Sequence, residues 1–238
     1  MIKLMVARIK VIDELESLLQ QCFSTLDDLL SIQKISQNDA RVTFFKHIVN
    51  VIDSSIIFLT LSHRYFGDEP WWSDTQRMYN LSTRPIPFDR EFDYCDQMIS
   101  MSYFFFLFSS FEHSIRRIIH VYNPALYNSQ PDLSSLLKRL IKNLSLENQD
   151  QFIDLITSIR NSIHNNGLYI PRGISSTRRI IWKSIPFHFD KNKSIEMKDL
   201  WLHWINISKE IISIFNRIIN SEKIKKIRYY PDPTELSQ

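Results

Sequence analysis

Apolar residues recur at three- and four-residue steps along most of this chain, and that period predicts helices joined by a few proline-marked breaks. From Val6 to about Ile35, the positions Ile9, Ile12, Leu15, Leu18, Leu19, Cys22, Leu26, Leu29 and Leu30 keep the repeat with charged residues between them. This predicts a long amphipathic helix. Ser36-Gln37-Asn38-Asp39 supplies capping side chains, and Val42, Phe45, Ile48, Val49, Ile52, Ile56 and Ile57 carry a second helix to about Tyr65. The two are expected to form an antiparallel hairpin over residues 1–66, as the first half of a bundle or as a separate unit. Between Gly67 and Arg90 the pattern changes: Pro70, Pro85 and Pro87 interrupt helix, and residues 67–91 are expected to be a linker or wrapped loop. Its tandem Trp71-Trp72 can pack on the helices or offer bases a stacking surface.

The helical period returns from Phe92 to Tyr122. There Tyr94, Met98, Met101, Phe105, Phe108, Phe111, Ile115 and Ile118 or Ile119 predict an aromatic buried face, and the flanking Phe104 and Phe106 predict burial on more than one side. Asn123-Pro124 ends this helix, and Pro131-Asp132-Leu133 begins a short one with Leu133, Leu136, Leu137, Leu140 and Ile141 apolar. Phe152, Ile156, Ile159 and Ile163 make the stripe of the next helix, which Asn166-Gly167 is expected to close as a left-handed stop. From Leu168 to Asp190 the period is lost; Ile180, Trp182, Phe187 and Phe189 alternate with polar neighbours, which predicts a short hairpin lying over the end of the preceding helix. Lys198 to Asn220 closes the bundle with Leu200, Trp201, Trp204, Ile205, Ile207, Ile211, Ile212, Phe215 and Ile218, enough apolar surface to face a second copy as well. The predicted fold is an all-α antiparallel bundle over residues 92–221 with one small insertion, followed by a basic tail over 222–238.

Composition narrows the class without choosing a function. Hydrophobic residues make up 44% of 238 and charged residues 23%, the balance of a globular chain, and only 3 Gly leave little material for the turns of a many-stranded sheet. A net charge of +3 permits a polyanionic partner without requiring one. Cys22 and Cys95 are too few for a disulfide framework, no Cys/His spacing matches zinc, and no Gly-rich phosphate loop is present, so neither metal nor cofactor is expected. The opening MIKLMVARIKVIDELE interrupts its apolar run with charges, unlike a secretory signal. The apolar runs Ser54 to Leu61 and Ile99 to Phe111 fall short of the ~20 residues that span a bilayer. Both are expected to be core helices, with no membrane partner and a cytoplasmic location.

The candidate chemistry lies at the end of the Phe152–Gly167 helix. Arg160 and His164 stand four apart, so a permanently charged guanidinium and a side chain that titrates near neutrality share one surface. Such a pair can grip and cleave a phosphodiester. The same residues in a last turn also oppose the negative end of the helix dipole, so stability alone accounts for much of the string. On the earlier helix Glu112 precedes Arg116 by four residues, an ordinary solvated bridge unless Glu112 lies at the core edge and needs a further cation. Arg116 and His120 repeat the Arg/His spacing and are read as a secondary phosphate contact or a decoy.

The string Arg160-Asn161-Ser162-Ile163-His164-Asn165-Asn166-Gly167 resembles the Arg-polar-x-x-x-His signature of the HEPN superfamily, helical bundles of which many are metal-independent ribonucleases. Phe108-Ser109-Ser110-Phe111-Glu112-His113-Ser114-Ile115-Arg116 is similar to an earlier helix of bacterial HEPN families, in which an acidic residue faces the Arg/His pair. The resemblance covers roughly Asp93 to Ser221, with a shorter Arg-to-His spacing than most active members carry. It implies that His164 serves as base or acid, that Arg160 clamps phosphate, that Asn161 orients His164 or a phosphate oxygen, and that Glu112, Arg116 and Asn165 support them. It further implies a homodimer in which two motif helices meet, with RNA as substrate and an antitoxin or defence-system protein as possible partner. Arg178, Arg179 and Lys183, with Arg172, put positive charge close after the motif, as solvated edge or as contacts to an RNA backbone. The competing reading is a non-catalytic binding or assembly module in which Arg160 and Glu112 form a structural bridge.

Overall fold

A computed structural model describes residues 2–65, 69–78, 88–127, 132–165, 168–170, 177–193 and 200–231. Among the described residues the fold is an all-α helical bundle carrying one two-stranded antiparallel hairpin. Helix α1 (Ile2–Asp27) runs through a π-turn at Asp28–Ile32, α2 covers Ala40–Tyr65, and α3 covers Glu69–Met78. The long α4 spans Phe88–Tyr122, about 52 Å at 1.5 Å per residue. Helices α5 (Leu133–Asn143) and α6 (Asp150–His164) follow, then β1 (Thr177–Trp182), β2 (Ile185–Asp190), α7 (Leu200–Ile219) and the single turn α8 (Glu222–Lys225).

The N-terminal hairpin and the later helices share one core. Arg8, near the start of α1, donates to Ser62 near the end of α2 at 3.0 Å and pairs with Asp96 of α4, which sets α1 and α2 antiparallel and ties both to α4. Phe44 of α2 lies 3.9 Å between centroids from Phe215 of α7 and 6.3 Å from Phe111 of α4. All three rings are fully buried, each contributing on the order of 1.5–3 kcal/mol of transfer free energy. Ala40–Ser62 of α2 is long and apolar enough to cross a bilayer by length and composition, yet its Phe44, Phe45, Ile48, Ile52 and Leu59 are buried in this core.

Residues 67–91 are not all loop, because Glu69–Met78 is helical; Pro70 stands in the first turn, where a helix has no use for its missing N–H. Trp71 sets its ring 5.4 Å from that of Tyr65, while the side chain of Trp72, with Pro85 and Pro87, lies outside the described residues. On α4 the buried face is Tyr103, Phe104, Leu107, Phe108, Phe111, Ile115, Ile118 and Ile119, whereas Tyr94 and Met98 are exposed. The run of aromatics is so dense that two helical faces carry an apolar period, and the packing of α2 and α7 against α4 selects one. Finally, part of the basic tail expected over 222–238 is built into the core. Tyr230 is buried, its N–H donates to Asp39 at 3.0 Å, and Pro231 bridges Asp39.

The hairpin forms where alternation predicted it, with Arg179 opposite His188 and Ile180 opposite Phe187. Its two-residue turn, Lys183-Ser184, has φ of 48° and 64°, the conformation that matches strand twist, although neither residue is glycine. Lys183 is held there by Glu210 at 2.9 Å and by the Trp182 ring at 4.7 Å. The hairpin lies along α6, not over its end: Trp182 meets Phe152 at 5.1 Å, and Arg178 reaches Asp154 at 2.6 Å and Ser158 at 3.3 Å.

Candidate functional site

Helix α6 forms because Phe152, Ile153, Leu155, Ile156 and Ile159 bury one broad face, while Ser158 and Ser162, also buried, return their hydroxyls to the carbonyls of Asp154 and Ser158. That burial leaves Arg160 and His164 on the flank turned toward α4. The Arg160 guanidinium stands 3.6 Å from Glu112, and the His164 ring meets Phe105 edge-on at 5.3 Å. Going forward from Arg160 to His164 goes backward along α4 from Glu112 to Phe105, so the two helices cross antiparallel at this point.

Glu112 is shared between two cations. One carboxylate oxygen accepts from Arg116 Nε at 3.0 Å and Nη2 at 2.7 Å, and the other faces Arg160. The tighter partner is therefore Arg116, one turn along the same helix, and Arg160 is the looser one. Arg160 retains about a third of its side-chain exposure (34%), His164 is exposed, and Glu112 is more enclosed at 18%. Asn161 accepts from Arg160 Nη1 at 3.3 Å, so its amide orients the guanidinium and not the imidazole. Asn165 donates from Nδ2 to the Asn161 carbonyl at 2.8 Å and its N–H meets Ser162, closing the last turn. Asn166 and Gly167, expected to stop the helix, lie outside the described residues, as does Arg172.

The basic hairpin residues do not join this group. Arg178 meets α6 at Ser158, and residues two apart on a helix point to roughly opposite sides, so the hairpin occupies the flank away from Arg160. Arg178 is committed to Asp154, which also takes Lys138 at 2.6 Å, and Lys183 is committed to Glu210, which Arg217 approaches at 3.4 Å. Arg179 stands exposed on the outer face of the strand pair. Sequence reasoning missed Phe105 as a site residue: it was placed among core positions, yet its ring is half-buried and lies against the imidazole. Its seven-residue step from Glu112 is the signal that could have found it, since positions seven apart share a helix face.

Among the described residues, no group of three or more His, Cys, Asp or Glu side chains is arranged to hold a metal ion. The assembled surface offers a guanidinium, an imidazole open to solvent, and a carboxylate paired with the guanidinium, groups that can bind an anion and transfer a proton. No protein-family model, curated protein or solved structure matches this chain.

Proposed function

We propose that this chain is a HEPN-like, metal-independent endoribonuclease acting in the cytoplasm, in a defence or toxin–antitoxin setting. The observation that supports this best is the placement of Arg160 and His164 together on an exposed flank of α6, with Glu112 of α4 at 3.6 Å from the guanidinium. In the proposed reaction His164 removes the proton from a ribose 2′-OH. The freed oxygen attacks the adjacent phosphorus, the bond from phosphorus to the 5′-oxygen breaks, and that oxygen takes up a proton. The products are a 2′,3′-cyclic phosphate and a 5′-hydroxyl. Arg160 leaves Glu112 to hold the non-bridging oxygens as negative charge builds in the transition state. Each site holds one such histidine, so a second copy bringing its own motif helix supplies the second protonation state. The test is degradation of single-stranded RNA in excess EDTA: wild type cleaves and His164→Ala does not, and equal activity of the two refutes the reading.

The Glu112 contact itself favours a second reading, a non-catalytic HEPN-like binding or assembly module in which this bridge is structural. It requires a substantial loss of stability on removing Arg160 and no cleavage.

A further inference from the structure

The surface of α4 changes character at His164. Toward the C-terminal end of the helix it presents Arg116 and Glu112, the latter 3.6 Å from Arg160; at the level of the imidazole it presents rings. The Phe105 ring meets both the His164 ring and the Phe106 ring, with centroids 5.3 and 5.7 Å away and both contacts edge-on. Phe106 is 56% exposed. A large apolar side chain exposed in the middle of a long helix, joined through Phe105 to an imidazole that shares its flank of α6 with a guanidinium, matches the two parts of a nucleotide: an anion and a π-face. Double-stranded nucleic acid offers only the anion, because its bases are stacked on each other.

We propose that Phe105 and Phe106 form a base platform beside the Arg160/His164 pair, and that the ligand is single-stranded RNA with a phosphate on Arg160 and an adjoining unpaired base on Phe106. Phe105 is a positioning residue: its ring packs on the imidazole and holds it between the guanidinium and the platform. The proposal rests on the ribonuclease reading for the identity of the polymer, and it adds what makes the polymer single-stranded. Aromatic stacking tolerates any base, so the platform confers strand selectivity with little sequence preference.

The test measures binding of 2′-O-methyl RNA, which cannot undergo the 2′-attack, to the full chain in EDTA, single-stranded and annealed to its complement. Phe106→Ala, at an exposed position that should leave folding intact, is expected to weaken single-strand binding ~5- to 150-fold, the range of one lost base–aromatic stack. Duplex binding stays as in wild type, and Phe106→Trp restores the single-strand affinity. With cleavable RNA, Phe106→Ala raises KM more than it lowers kcat. Unchanged single-strand binding in Phe106→Ala overturns the proposal, as does equal weakening for single strand and duplex. So does a shift from dimer to monomer on light scattering with RNA binding intact, which would assign the ring surface to a second copy. Stacking that depends on Phe106 together with cleavage insensitive to His164→Ala would remove the ribonuclease reading and leave the platform standing.

Discussion

Replacing Arg160 with alanine separates the catalytic from the structural reading, because the geometry sets how much stability the residue can carry. The guanidinium lies 3.6 Å from Glu112, a separation at which opposite charges attract by ~1 kcal/mol in bulk water and about 4–5 kcal/mol at the effective dielectric of a protein surface, before desolvation and ordering are subtracted. Both groups keep contact with solvent, at 34% and 18% exposure, and measured pairs of this kind retain about 0.2–1 kcal/mol. The carboxylate is not orphaned when Arg160 goes, since Arg116 still donates to it twice, at 2.7 and 3.0 Å. Arg160→Ala should therefore lower stability by no more than about 1 kcal/mol, or roughly 2–4 °C in Tm for a chain of this size, while abolishing metal-free RNA cleavage. Arg160→Lys keeps the charge but not the planar fork, and it should recover the melting temperature without recovering full activity. Differential scanning fluorimetry beside the EDTA cleavage assay reads both. A fall of more than about 8 °C in Arg160→Ala would show that the bridge holds the helices together and would refute this reasoning.

A much larger loss is expected at the buried hub that joins the start of α2 to the C-terminal segment. Asp39, fully buried, accepts from Arg41 Nε at 2.8 Å, Arg41 Nη2 at 2.7 Å, the Arg41 N–H at 2.9 Å and the Tyr230 N–H at 3.0 Å, so Asp39→Ala leaves an enclosed guanidinium and two N–H groups without that acceptor. The cost is about 3–5 kcal/mol, a large part of a typical ~5–15, and Asp39→Ala/Arg41→Met should recover some of it in urea unfolding; a loss below ~1 kcal/mol for the single variant would contradict the hub. Alkali should also unfold the chain early. Burial pushes the Cys22 thiol from near 9.0 up to about 12 and raises the phenols of Tyr103 and Tyr230, so all three stay neutral in the fold but ionise in the unfolded chain. Their contribution is complete below about pH 9 and is lost as pH rises through the folded-state values. Melting temperatures from pH 7 to 11 check this, and a flat profile argues against it. With a disulfide reagent at pH 8, the part-exposed Cys95 should react at once and Cys22 only after denaturant is added.

The order and kind of the elements were legible from one-dimensional periodicity, since α5, α6 and α7 each bury a single face whose repeat is visible in the chain. Alternation of apolar and polar residues likewise disclosed the hairpin, and the four-residue step from Arg160 to His164 placed both on one side of a helix. Helix geometry is local, so such relations need no knowledge of neighbours. Which of two apolar faces α4 turns inward, whether Glu112 prefers Arg116 or Arg160, and that Arg178 faces away from the Arg/His pair depended on where α2, α6 and α7 come to rest. The buried Asp39–Arg41 pair is two residues apart in sequence but is covered by Tyr230, 191 residues from Asp39. Burial and charge pairing are properties of what surrounds a side chain, and for these residues the surroundings come from distant parts of the chain.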